Sequence, residues 1–290
     1  MKIYDAHNHP DWHGHDLEAF IANMDKYNIE KCWILSWESP LNEGNVAYAG
    51  VTTGGIFGEK KWIPFNLCLR YKEAYPDRFV LGYGPDPRDP AACHNLVAAN
   101  KIYHAQVCGE IKYRMTYDDP DCLCLFRTAG DLGMPVTLHF DYNYRQRCED
   151  PRSEWYGGDI NALERALQAC PDTKFLGHAP GFWIHISNDD LWKTRPYAKD
   201  MPVIPGGRIV ELLRKYPNLY CDMSAGSGCG ALSRDKEFGK QFILEFQDRI
   251  LYARDCFDNR HQELLNSLDL PEDVLEKIYS RNAAKLIGEQ

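Results

Sequence analysis

Eight short apolar runs alternate with helical patterns along the whole chain, and that alternation narrows the folds open to it. Strands are expected at 2–7 (KIYDAH), 31–37 (KCWILSW), 78–84 (RFVLGYG), 108–114 (CGEIKYR), 135–140 (PVTLHF), 173–178 (TKFLGH), 218–224 (NLYCDMS) and 249–255 (RILYARD). Helical periodicity fills 17–28, 64–76, 91–105, 121–133, 160–170, 206–217 and 236–247, and two more helical pieces follow the last strand. A strand–helix unit repeated eight times is the plan of an α/β fold of the (β/α)8 TIM-barrel type. The strands read as continuous apolar runs, as a sheet covered by helices requires. Asn28, Gly133, Pro171-Asp172 and Pro217-Asn218 supply turns between helix and strand. At 290 residues the chain fits one barrel, so a single domain over 1–290 is expected. The longer excursions at 38–62, 141–158 and 181–205 all follow strand ends, where loops over a barrel mouth belong.

Composition removes several function classes. A net charge of −9 argues against a binder of phosphate backbones, which carries a basic face. The apolar runs are strand-sized, so no membrane span is expected. Lys2 is followed by polar and charged residues rather than an apolar signal region, which makes the cytoplasm the expected compartment. Eleven cysteines without a CxxC pair suggest reduced thiols rather than a disulfide framework. Cys122 and Cys124, in a helical segment, are read as small apolar residues.

In a parallel barrel, side chains at the C-terminal strand ends converge on one mouth, where the chemistry is done. Strand one ends in His7 and His9, two residues apart and therefore on one face. Strand five ends in His139, strand six in His178 and strand eight in Asp255, while strand four carries Glu110 and Lys112 in phase. Any one of these has an ordinary structural explanation, but together they fall at the same end of converging strands. Imidazole and carboxylate donors suit Zn²⁺ or another divalent first-row metal such as Mn²⁺. The second histidine pair, His13 and His15, lies in the loop before the first helix, with Asp16 as its N-cap.

This series resembles the amidohydrolase superfamily, with HxH on strand one, His on strands five and six, and Asp on strand eight. DAHNHP (5–10), TKFLGHAPG (173–181), RILYARDCF (249–257) and YSRNAAKLIG (279–288) are similar to the amidohydrolase-2 branch, which holds both hydrolases and non-oxidative decarboxylases. ARD (253–255) departs from the usual Gly-Ser before the aspartate. GEIKYR (109–114) looks more like the strand-four Gly-Glu of TatD-type enzymes, whose Glu helps hold a second metal.

The resemblance implies a metal site of His7, His9, Glu110, His139, His178 and Asp255, holding one or two ions, with Zn²⁺ expected first. It implies Asp255 as the proton shuttle. His178 either completes a second metal site with Glu110 or polarises a carbonyl. Lys112 is read as a cation facing substrate; the alternatives are an internal Glu110–Lys112 ion pair and a carboxylated lysine. Lys112, Arg114, Arg145, Arg147, Trp183 and His185 make up the expected substrate face, and their cations suit a small anionic substrate.

The expected activity is hydrolysis of a small carboxylated amide, ester or lactone through a metal-activated water. The alternative is non-oxidative decarboxylation of an aromatic or muconate-type acid. A TatD-like nuclease and a catalytically silent binding protein rank below both. No nucleic-acid or membrane partner is expected. A homo-oligomer is implied by the resemblance alone.

Overall fold

The computed structural model describes residues 1–40, 43, 61–142, 155–193 and 201–289. All eight expected strands form. They are β1 (Tyr4–Asn8), β2 (Lys31–Leu35), β3 (Phe79–Tyr83), β4 (Val107–Ile111), β5 (Val136–His139), β6 (Phe175–His178), β7 (Leu219–Asp222) and β8 (Ile250–Leu251). They pair in parallel in sequence order. Backbone bonds from Ala6 N to Tyr252 O (3.0 Å) and from Asp255 N to His7 O (2.8 Å) join the last strand region to the first. The fold is a (β/α)8 TIM barrel.

The seven expected helices are present too, as Leu17–Lys26, Phe65–Ala74, Ala92–Tyr103, Pro120–Asp131, Ile160–Ala169, Arg208–Lys215 and Lys236–Glu245. The first shows why such segments fold. Asp16 caps it by accepting from Ala19 N at 2.9 Å, a contact worth about 1 kcal/mol, and Phe20 and Met24, one turn apart, are buried against the barrel. Asn28 and Gly133 take left-handed φ values of 56° and 69°, the backbone that ends a helix and returns the chain to a strand. Asn218 does the same task with its side chain, whose amide donates to the carbonyls of Leu167, Cys170 and Thr173.

Two hydrophobic clusters divide the core. One packs helix faces against the outer side of the strands. The other, built almost wholly from strand residues such as Tyr4, Ala6, Trp33, Leu35, Val107 and Leu176, fills the barrel interior. The structure also differs from the expected pattern in two places. The region after β2 begins with an antiparallel pair, Trp37–Pro40 with Lys61–Ile63, where a loop was expected. A helix over Ala225–Ser233 follows β7 directly, and its Gly- and Ser-rich sequence gave no periodic signal. Among the described residues, no helix is long and apolar enough to cross a membrane, and all ten described cysteines are free thiols.

Candidate metal centre

β1 presents His7 and His9 at the barrel mouth, both essentially buried. Their ring nitrogens are oriented by fixed partners. His9 Nδ1 lies 2.9 Å from the Leu35 carbonyl, which can only accept, so that nitrogen carries the proton and Nε2 bears a lone pair. His7 Nδ1 lies 2.6 Å from Asp222 Oδ2, which likewise turns Nε2 toward the mouth. The two Nε2 atoms face each other at 3.3 Å. Two ligands about 2.1 Å from one tetrahedral ion stand about 3.4 Å apart.

Carboxylates complete the cluster. Glu110, 2% exposed, places one oxygen 2.6 Å from His139 Nδ1 and the other 3.3 Å from His9 Nε2. His178 Nε2 is 3.7 Å from Glu110 and 3.9 Å from Asp255, while its Nδ1 pairs with Ser224 Oγ at 2.8 Å. Asp255 Oδ1 is buried, has no hydrogen-bond partner and lies 3.7 Å from His9 Nε2. Two triads therefore adjoin: His7, His9 and Asp255, and Glu110, His139 and His178, each with donor atoms within 4.8 Å of one another.

The electrostatics favour a cation here. Burial opposes charge on every group, yet His139 and Lys112 hold the Glu110 carboxyl well below its ordinary range. Burial also opposes a charge on His7, but the Asp222 and Glu110 carboxylates raise it to about 10. A proton on His7 is the ion-free answer to the same negative potential. His139 is raised as well: burial and Lys112 work against its charge, while Glu110 and Asp141 (2.8 Å from Nε2) favour it. The His9 Nε2 lone pair, an orphaned buried carboxylate oxygen and mixed N/O donors fit a divalent ion standing in for the His7 proton.

All six expected ligand positions therefore meet in one cluster. Lys112 is 3% exposed, with its ammonium 4.3 Å from the Trp37 ring centre and 5.3 Å from that of Tyr156. Arg114 is half-buried just beyond β4. Arg145 and Arg147 lie outside the described residues. The structure does not bring Trp183 into the cluster: its indole is 1% exposed, packs on Phe182 and Phe242, and donates to the Asp222 carbonyl at 3.0 Å. That contact stiffens the backbone of the residue that holds His7. His13 and His15 stay in their loop, where His15 stacks on Phe257 with ring centres 3.7 Å apart.

Sequence reasoning missed Asp222, although NLYCDMS carries it at the C-terminal end of β7, where the same strand-end rule points. It is fully buried, and His7 and His178 outweigh the cost of burial to hold it down to about 2. Asp222→Asn should lower metal affinity about 10- to 100-fold, as loss of a carboxylate behind a ligating histidine does. Competition with a chromogenic chelator measures this, and unchanged affinity would contradict the role.

His185 is also buried, bonds Tyr142 OH at 2.9 Å and is lowered to about 4, chiefly by burial. It folds neutral, whereas an unfolded histidine titrates near 6.5. Its contribution is complete above roughly pH 6.5 and is lost as pH falls through about 4, on the order of 3 kcal/mol. Denaturant midpoints measured from pH 7 to 4 should fall, and His185→Gln should flatten part of that slope.

The comparisons with known proteins agree with this architecture. No curated protein matches the sequence. Among solved structures, 5-carboxyvanillate decarboxylase from Sphingomonas paucimobilis superposes with a TM-score of 0.63 at 14% identity, covering 100% of this chain and 99% of the other. A probable 2-pyrone-4,6-dicarboxylic acid hydrolase from Acinetobacter baumannii, with citric acid bound, gives 0.61 at 13% identity over 99% and 100%. Dihydroxybenzoic acid decarboxylase from Polaromonas sp. JS666, with bound manganese and 2-nitroresorcinol, gives 0.60 at 20% identity over 93% and 85%. At these identities the likeness shows a shared fold. The sequence itself matches the amidohydrolase (Amidohydro_2) family model over residues 4–288, and the chain belongs to that family.

Proposed function

We propose that this chain is a metal-dependent hydrolase of a small carboxylated amide, ester or lactone. The observation that supports this reading best is the placement of Glu110. One oxygen faces His139 and the other His9, so a single carboxylate stands between the two triads and can serve both. His7, His9 and Asp255 would hold one ion, and His139 and His178 a second, with Glu110 between them. The donor set suits Zn²⁺, and Mn²⁺ is the alternative. Such ions, once bound, would supply Lewis acidity and lower the pKa of a bound water toward roughly 7.

The protein's own groups do the rest. Asp255 has an unpartnered oxygen in the mouth, positioned to take a proton from the attacking water and return it to the leaving group. His178, oriented by Ser224, presents Nε2 beside Asp255; that nitrogen would ligate the second ion, and with a single ion bound it is instead free to polarise the scissile carbonyl. Lys112 and Arg114 place positive charge where a substrate carboxylate would lie. A cleft of about 460 Å³, bounded by Asp141, Tyr142, Trp155 and Trp192, adjoins His139 through Asp141 and has room for a small ring.

Non-oxidative decarboxylation is the second reading. The buried His178 Nε2, 3.9 Å from Asp255, could equally deliver a proton to a carbon that loses CO₂. Metal content separates the two-ion reading from its rival. The native chain should hold at least two ions and Glu110→Gln one fewer; equal content in both contradicts a bridging Glu110. A panel of lactones, esters and amides, run beside aromatic acids with CO₂ detection, then assigns the reaction.

A further inference from the structure

Past Asp255 the chain runs through a short loop into the helix Arg260–Asn266 and gathers a second donor cluster: Cys256, Asp258 and His261. One atom from each lies within 4.8 Å of the others. Cys256 Sγ is 3.6 Å from Asp258 Oδ1. That is an ordinary thiol hydrogen bond, and sulfur and oxygen on one tetrahedral ion, at about 2.3 and 2.0 Å from it, stand about 3.5 Å apart, so the pair is already spaced to share one.

His261 supplies the independent observation. The residue is fully buried. Its Nε2 lies 3.0 Å from the Ala225 carbonyl, an acceptor only, so Nε2 carries the proton. Nδ1 is therefore the lone-pair nitrogen, and it is buried with no hydrogen-bond partner. A buried acceptor without a donor is costly unless something fills the position. Asp258 is fixed by Arg260, which donates its Nε to Oδ1 and Oδ2 at 2.9 and 2.8 Å, its Nη2 to Oδ2 and its backbone N–H to Oδ1 at 3.2 Å, so an ion here would share a carboxylate already held in place.

We infer that Cys256, Asp258 and His261 form a second divalent-metal site, distinct from the mouth and taking a borderline-soft ion of the Zn²⁺ class. Sulfur, nitrogen and oxygen donors together select such ions over Mg²⁺ or Ca²⁺. Binding exchanges the Cys256 thiol proton, released to solvent, for a sulfur–metal bond. The ion ties the loop that begins at Asp255 to the helix behind it.

Cobalt(II) tests this, because only a thiolate ligand gives a near-ultraviolet sulfur-to-cobalt band and the mouth contributes nitrogen and oxygen donors alone. The full-length chain is stripped with chelator and titrated with Co²⁺. The native protein should develop the band, saturating at one thiolate-bound ion per chain. Cys256→Ser should abolish it and bind one ion fewer, while Cys124→Ser, which alters an exposed thiol 3.5 Å from Cys93, should retain it. No band in the native protein, or a band unchanged in Cys256→Ser, overturns the site. If Cys256→Ser does not fold, Asp258→Asn is read instead. Its half-saturating cobalt concentration should rise at least about tenfold, and an unchanged value overturns the site equally.

Discussion

Asp255→Asn is expected to lower kcat by about 10²–10⁴-fold while KM and fold change little. The substitution keeps shape and hydrogen-bonding size but removes the group that accepts and returns the proton. Its position makes the effect specific. The Asp255 backbone N–H is anchored to the His7 carbonyl at 2.8 Å, and its backbone sits at a left-handed φ of 49°, which short polar residues tolerate. Main-chain geometry therefore survives the change; the carboxylate's place among the metal donors goes with it, so the variant is assayed at saturating metal, where the remaining loss is that of the proton-transfer group. Steady-state kinetics on whichever panel substrate the native chain turns over, read beside circular dichroism, check this. A variant within threefold of native kcat would remove Asp255 from proton transfer.

The second large effect concerns stability. Asp5 and Arg254 form a fully buried ion pair, Nε to Oδ2 at 2.8 Å, and Asp5 Oδ1 also accepts from the Arg254 backbone N–H at 2.8 Å. Arg254 Nη1 reaches Asn23 of the first helix at 2.8 Å, so the pair stitches β1, the last strand and that helix together. Removing one partner leaves the other charge buried and unpaired. Asp5→Ala or Arg254→Ala should each cost about 3–5 kcal/mol, a large share of the stability of any domain. The thermal midpoint should drop by roughly 10 °C. Replacing both, as Asp5→Leu with Arg254→Met, should cost less than either single change, because no orphaned charge remains. Equal losses in the single and double variants would show that packing, not charge pairing, is what matters there.

These residues also mark what could be read from the sequence. The barrel was legible because eight apolar strand runs alternate with helical periodicity, and several of those runs close on a polar residue. Strand phase put His7, His9, Glu110, His139, His178 and Asp255 at converging strand ends, and the family resemblance read them as one metal site. What stayed hidden depends on partners far apart in the chain. Asp5 sits beside the HxH pair and reads as part of the same polar stretch until Arg254, 249 positions away, is seen to face it. Arg254 in ARD read as a departure from a family pattern, and in the fold it anchors the segment just past β8 that carries Asp255. Asp222 was within reach of the strand-end rule. Trp183 looked like a loop aromatic at the mouth; its burial follows from the single helical turn Pro180–Trp183, which folds the indole back beneath β7.

The central claim is that the barrel mouth is a metal centre. Elemental mass spectrometry of the native chain and of the His7→Ala/His9→Ala double variant, each reconstituted with Zn²⁺ or Mn²⁺ and dialysed, tests it most directly. The double variant should bind at least one ion fewer per chain and lose its activity, and chelation of the native protein should abolish turnover until metal is restored. Equal metal content in the two proteins, with native activity indifferent to chelation, would contradict it.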